Sequence, residues 1–310
     1  MEPEFNSPLL KIMNQVETDS FRAWMLAARP KTLTGAAAPV MVGGGLAVGF
    51  LRSSSFSLCS LSVWIPFCLA LVFALVMQVT ANMVNDYFDF KKGSDRDDRL
   101  GPERACAQGW ITPGRMYRAI IILSVLALLI GLPLVFYGGW EMLIVGLACV
   151  VFCWLYTTHL SYIGLGDLLV IVFFGLVPVA FTFYVMTGCI TSEVWVSGLA
   201  MGLCTDCLLI VNNYRDIEQD SKSGKRTLIV MVGKKIGLIL YLMCGLIAVV
   251  AMVYVTNIWS LAYMPYLALH ITTYLSMTNK TGRQLNGVLG ATARNIFVFG
   301  LISAVVLMIE

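Results

Sequence analysis

Nine stretches of this chain are apolar over a length that crosses a lipid bilayer, and no other feature constrains the fold as strongly. They cover residues 33–51, 62–84, 119–137, 140–157, 167–187, 193–211, 236–256, 258–277 and 288–309. A helix needs about 20 apolar residues to span the hydrocarbon, where only helices and closed barrels satisfy every backbone polar group. The runs are too long for barrel strands and show no sustained alternation of apolar and polar residues, which excludes a lipid-facing barrel. Gly43-Gly44-Gly45, Pro133, Pro178 and Pro265 fall inside them, as polytopic helices tolerate. Charged residues are 13% of the chain, against about 25% in a soluble domain. The sequence therefore predicts an all-α, polytopic membrane bundle of nine transmembrane helices. It forms a single membrane-embedded domain over 1–310, in which residues 1–20 are expected to be a poorly ordered N-terminal segment.

The cations set the topology. Of 21 Lys and Arg residues, 20 fall in the N-terminal segment or in the loops after the second span, after the sixth and before the ninth, with Arg294 just inside the ninth. Only Arg52 lies on the other side. The positive-inside rule then puts the N-terminus and those loops in the cytoplasm and Glu310 outside. The expected partner is the lipid bilayer and not nucleic acid, and with no transit peptide the reading favours a bacterial plasma membrane. The nine cysteines mostly lie in apolar runs, which argues against a disulfide framework. Cys59 and Cys189 share the outer side. Cys204-x-x-Cys207 has no companion pair and reads as helix packing rather than a zinc site.

Two cytoplasmic segments hold most of the polar chemistry. One runs Asn82-Met-Val-Asn85-Asp86-Tyr-Phe-Asp89, and the other runs Asn212-Asn213-Tyr-Arg215-Asp216-Ile-Glu218-Gln-Asp220 and on to Lys225-Arg226. Residues three and four apart share a helix face, so Asn82, Asp86 and Asp89 are expected to project together, as are Asn213, Asp216 and Asp220. Carboxylates gathered in this way repel each other unless a cation joins them. Magnesium suits the role, being held by one or two carboxylates plus substrate phosphates. Two such clusters can clamp a diphosphate, with Lys225, Arg226 and Arg215 neutralising its remaining charge. Asp95, Asp97, Asp98 and Glu218 read as solvated loop residues. A proton- or cation-coupled transporter is the competing class. Against it, the acids cluster at the cytoplasmic boundary, and Asp206 alone lies deep, where it reads as a polar contact between helices.

On these residues the chain, from about Trp24 to the last span, resembles the UbiA superfamily of intramembrane aromatic prenyltransferases. The resemblance rests on Asn85-Asp86-x-x-Asp89 and Asp216-x-x-x-Asp220. Arg29-Pro30-Lys31-Thr32-Leu33, Asn212-Asn213-x-Arg215-Asp216, Gly224-Lys225-Arg226-Thr227-Leu228, Leu155-Tyr156-Thr157 and Gly164-Leu165-Gly166-Asp167 look like its 1,4-dihydroxy-2-naphthoate branch. The resemblance implies a bundle around a central cavity, and transfer of a prenyl group from a polyprenyl diphosphate to an aromatic acid. In that branch carbon dioxide and diphosphate leave, giving demethylmenaquinone; the 4-hydroxybenzoate branch is the alternative. It implies Mg2+, two ions bridging the diphosphate, on Asp86, Asp89, Asp216 and Asp220. Tyr156 is implied near the reacting carbon, and Arg29, Lys31, Asn82, Asn85, Asp167, Asn213, Arg215, Lys225 and Arg226 around the substrates. Tyr156 also fits an interfacial aromatic belt, and Asp167 a helix cap. The superfamily's first motif often carries a third Asp where Gly93 stands here, with Asp95 nearby. His159 reads as a helix-end residue and His270 as a packed one.

Overall fold

The computed structural model describes residues 16–54, 60–93, 99–256 and 260–310. Asp95, Asp97, Asp98 and Cys59, weighed above, lie outside the described residues, as do residues 1–15. A short helix α1 (Phe21–Ala28), capped by the Ser20 hydroxyl accepting from the Ala23 N–H, precedes the bundle. Then follow α2 (Leu33–Ser53), α3 (Leu61–Lys91) and α4 (Pro113–Gly131), the last prolonged by a 3-10 turn and one further helical turn to Gly138. Next come α5 (Glu141–Thr158), α6 (Gly166–Ile171), α7 (Val177–Thr187), α8 (Ser192–Lys222), α9 (Leu228–Thr256), α10 (Met264–Thr278) and α11 (Leu285–Ile309).

Among the described residues, eight helical segments are long and apolar enough to cross a membrane. The run expected at 258–277 takes a different form: a 3-10 turn at Ser260–Tyr263 leads into α10, which has 15 residues. The α6–α7 span is continuous through a π-helical turn at Val172–Leu176. Pro178 supplies no N–H to the carbonyl four residues back, and a wider turn relieves that position.

Close helix approach explains the interior. A Cβ added at Gly175 would lie 2.5 Å from the Gly202 Cα, so α8 and the π-turn meet backbone to backbone. Around that contact Val179, Phe183, Met201, Met252, Tyr263, Tyr266 and Phe299 form the main apolar core. Length places the polar residues. Helices α3 and α8 have 31 residues each, about 46 Å, against about 30 Å of hydrocarbon. Both therefore overrun the membrane, and the overrun at their C-terminal ends carries the two acidic motifs.

Residues 16–20, expected to be loosely held, are docked. The Asp19 N–H donates to the Trp110 carbonyl (2.7 Å), the Thr18 hydroxyl to the Gly109 carbonyl (3.1 Å), and Asp19 pairs with Arg115 (2.9 Å).

Candidate active site

The end of α3 turns its polar residues in two directions, where one shared face was expected. Asn82 donates to the Ala28 carbonyl (3.0 Å) and the Thr32 hydroxyl (2.9 Å), bracing the turn after α1. Asp86, 1% exposed, accepts from the backbone N–H groups of Ala105 (2.8 Å) and Cys106 (2.9 Å). Asn85 and Lys92 face the other way, and Asp89, four after Asn85 and three after Asp86, lies between the two faces. Asn85 accepts from the Thr157 hydroxyl at the end of α5, and Lys92 donates to the carbonyls of Thr157 (3.2 Å) and Thr158 (2.7 Å). Asp89 pairs with Arg104 at 2.9 Å, on the same turn that Asp86 holds.

Arg29 ends α1 in the left-handed region (φ 51°), a conformation that costs about 1 kcal/mol or more outside glycine. Its guanidinium lies within electrostatic range of Asp86, Asp89, Arg99 and Arg104, and its buried Nη2 has no hydrogen-bond partner. Lys31 stands exposed on the next turn.

The end of α8 supplies the second motif. Arg215, 4% exposed, donates to both Asp216 oxygens (2.7 and 2.5 Å), to Asn212 (2.6 Å) and to Asn286 on α11 (2.7 Å). Asn286 in turn donates to the Leu100 carbonyl at 2.9 Å. Arg215, expected at the diphosphate, joins α8, α11 and the α3–α4 loop through these bonds. Asp220 pairs with Lys225 at 3.8 Å, and its field includes Asp216 and Asp89, so the two motifs face each other.

Tyr162 stands between them. Lys92 Nζ lies 3.8 Å above its ring centre and Lys225 Nζ lies 6.0 Å away, while its carbonyl accepts from the Arg226 N–H at 3.1 Å. Burial pushes the Lys92 ammonium down from its ordinary pKa. Asp89 opposes that shift and Lys225 adds to it. Behind Lys225 a small pocket is lined by Tyr156, Ser161, Asp167, Asn213, Lys225 and Thr227. It brings three stretches of the chain, 156–167, 209–213 and 225–227, to one place.

The donor set suits a metal in one particular way. Among the described residues no three His, Cys, Asp or Glu side chains gather where protein alone could hold an ion. What faces the mouth is oxygen donors in ones and twos: Asp89 with Asn85 on α3, and Asp216 with Asp220 on α8. Magnesium completed by phosphate oxygens and water fits such a set. The carboxylates do not stand bare, as clustering alone suggested. Asp89, Asp216 and Asp220 each have a protein cation as partner.

Four of the residues here went unassigned in the sequence. Lys92 was signalled by its position three after Asp89. Tyr162 was signalled by the short loop it shares with the Gly164–Asp167 motif. Arg104 and Asn286 act across loops and left no signal in the spacing. Elsewhere the expectations agree with the structure. His159 meets Thr158 at the exposed end of α5, at 2.8 Å. His270 is stacked between Tyr241 and Tyr266 with Nε2 3.2 Å from the Leu242 carbonyl. Cys204 and Cys207 are buried, with Cys204 contacting the Tyr266 hydroxyl at 3.4 Å. Asp206 differs. It is 3% exposed and its Oδ1 has no hydrogen-bond partner, so it makes no simple interhelical link through that atom.

Fold and site together define a class: a polytopic membrane protein whose facing acidic and basic helix ends stand beside a small pocket between α5, α6 and α8. The chain belongs to the UbiA prenyltransferase family, which matches residues 36–305. A relative from Haemophilus influenzae, named 1,4-dihydroxy-2-naphthoate octaprenyltransferase, is 33% identical over 271 residues, 81% of this chain and 85% of its own. A relative of the same name from Mycobacterium tuberculosis is 38% identical over 237 residues, 74% of this chain and 76% of its own. Among solved structures, a UbiA homologue from Aeropyrum pernix K1 is similar with a TM-score of 0.66 at 15% identity, covering 87% of this chain and 96% of that one. A UbiA homologue from Archaeoglobus fulgidus, bound to DMAPP and Mg2+, is similar with a TM-score of 0.60 at 15% identity, covering 91% and 98%.

Proposed function

We propose that this chain transfers a polyprenyl group from an allylic diphosphate to 1,4-dihydroxy-2-naphthoate, releasing diphosphate and carbon dioxide and giving demethylmenaquinone in its reduced, hydroquinone form. The observation that carries the reading is the adjacency of the facing motifs to the pocket of Tyr156, Asp167 and Asn213, joined by Lys225, which belongs to both. The names of the bacterial relatives support the naphthoate as acceptor.

In this reading Asp89 with Asn85, and Asp216 with Asp220, hold Mg2+ against the diphosphate. The metal, when bound, withdraws electrons from the leaving group. Lys225, Lys92 and Arg226 take up the diphosphate's remaining charge, and Tyr162 holds the two lysines apart. Tyr156 presents an aromatic face towards the allylic carbon, where positive charge develops as the C–O bond breaks. Asp86 and Asn82 serve the site indirectly, by fixing the loop that bears Arg104 and the turn that bears Arg29. Both motifs face the cytoplasm of a bacterium, where the donor is water-accessible.

The test is acceptor labelled at its carboxyl carbon, with farnesyl or geranylgeranyl diphosphate as donor. One labelled carbon dioxide is expected per prenylation, and none without magnesium. Prenylated product that keeps its label, or turnover with 4-hydroxybenzoate but none with the naphthoate, overturns the acceptor in favour of the 4-hydroxybenzoate branch.

A further inference from the structure

Two buried carboxylates remain outside the donor site. Asp167 lines the pocket at 7% exposure, and Asp206 lies behind it at 3%. The Oδ1 atom of each is buried without a hydrogen-bond partner. Buried polar atoms are nearly always paired, and an orphan costs about 1–3 kcal/mol, so two in one place call for a partner from outside the fold. The packing turns them towards each other. A Cβ at Gly202 would lie 2.7 Å from the Ile171 carbonyl, and the Leu209 side chain lies 3.5 Å from the Cβ position of Gly166. Asp206, four after Gly202 and three before Leu209, shares that face of α8 and so meets α6 near Asp167. Asp167 is the ionisable group whose charge acts on Asp206. Around the pair stand Tyr156 from α5, Cys207 from α8, Cys244 from α9, and Lys225 at the pocket's mouth.

We propose that Asp167 and Asp206 form a carboxylate pair that takes up, and later returns, the hydroxyl proton of an aromatic acceptor bound in this pocket. The proposal rests on the acceptor reading above. Its missing hydrogen-bond donor is a ring hydroxyl, and Lys225 stands on the side where an acceptor carboxylate would lie. As the ring carbon bonds to the allylic carbon, the allylic C–O bond breaks and leaves its electron pair on the diphosphate. The ring hydroxyl becomes a ketone, and its proton passes to Asp167 and is shared with Asp206. The acceptor's carboxylate, now β to that ketone, departs as carbon dioxide and leaves its bonding electrons as an enolate. The enolate oxygen recovers the proton from the pair. Atoms, charge and protons balance without an oxidant or reductant. Asp167 touches the acceptor, while Asp206 acts through Asp167 and is a positioning residue.

Asp206→Asn keeps size and an acceptor oxygen but cannot take the proton. In the detergent-purified full chain we expect kcat to fall roughly a hundredfold, the scale of lost acid–base assistance. The KM for the prenyl diphosphate should stay unchanged, the pH dependence of kcat should alter, and Asp206→Glu should restore part of the rate. Binding gives a readout apart from turnover. By quenching of acceptor fluorescence, the wild type should prefer the dihydroxynaphthoate over its monomethyl ether by roughly tenfold, and Asp167→Asn should remove the preference. Wild-type kcat and pH profile in Asp206→Asn, or a loss that follows the unfolded fraction in thermal scans, overturns the pair. If Asp167→Asn leaves both acceptor binding and acceptor KM untouched, the pocket is not the acceptor site and the reading beneath fails instead.

Discussion

Replacing Asp86 by Asn separates two roles that share one sequence motif. In the structure both Asp86 oxygens are spent on backbone donors, Ala105 N–H at 2.8 Å and Cys106 N–H at 2.9 Å. An asparagine offers one acceptor oxygen, so one N–H faces an NH2 group and is left buried and unsatisfied, at about 1–3 kcal/mol. The surviving bond also loses its ionic character, which adds about 1 kcal/mol. A total near 3 kcal/mol lowers Tm by about 6 °C at the roughly 2 °C per kcal/mol of a large chain. Asp89→Asn is the control. Its carboxylate is 22% exposed and faces the buried side chain of Arg104; the Asn oxygen still accepts from that guanidinium, so the bond loses only its ionic character, at about 1 kcal/mol. The assay is a thermal scan in detergent beside a magnesium titration of prenyl transfer. We expect Asp86→Asn to lower Tm while its half-saturating magnesium stays within threefold of wild type. Asp89→Asn should keep Tm within 2 °C and raise the magnesium requirement at least tenfold. An unshifted Tm in Asp86→Asn together with a raised magnesium requirement would refute the reasoning and return Asp86 to the metal.

Lys225→Ala and Arg226→Ala should each weaken the apparent affinity for the prenyl diphosphate, since a charged hydrogen bond to phosphate is worth about 1.5–3 kcal/mol, or roughly 10- to 150-fold. Unchanged donor KM in both would remove them from the diphosphate. Single cysteines placed at Ser223 and at Ser192 in a cysteine-free background should react with an impermeant thiol reagent from opposite faces, Ser223 from the cytoplasmic one. Labelling of both from one side would overturn the orientation.

The membrane fold was open to reading because it needs only run length and charge bias. Both are one-dimensional properties that tertiary contacts do not alter. The tenth helix shows the limit: residues 258–277 have the composition of a span, yet the chain spends four of them on a 3-10 turn, and composition carries no information on that choice. The site was half open. Helical spacing brings out residues that can share a face, but Asp89 is three residues from Asp86 and four from Asn85 and so belongs to two faces at once. Which face looks into the site depends on where the loop carrying Arg104 lies, and no spacing within α3 records that. Arg215 escaped the reading for a related reason. Its long side chain reaches Asn286, 71 residues away in sequence, where a local pattern suggested a free cation beside an acid.

The kind of partner, more than the position of the acid, decides what each carboxylate can do. Asp86 is held by two N–H groups of the main chain, which cannot leave without unfolding the turn they belong to, so its charge is committed to the fold. Asp89 and Asp220 are held by the side chains of Arg104 and Lys225. A rotamer change can turn each of these side chains away, where the main-chain donors of Asp86 cannot turn. In the proposed reading the released cations would turn to the phosphates that arrive with the metal, so each pair would exchange one partner for another. Asp216 lies between these cases, because Arg215 is pinned by Asn212 and Asn286 and stays in place whichever oxygen of Asp216 turns to the metal. In the proposed reading the two Asp-rich motifs therefore supply three kinds of residue between them: an anchor, exchangeable ligands, and a ligand beside a fixed cation.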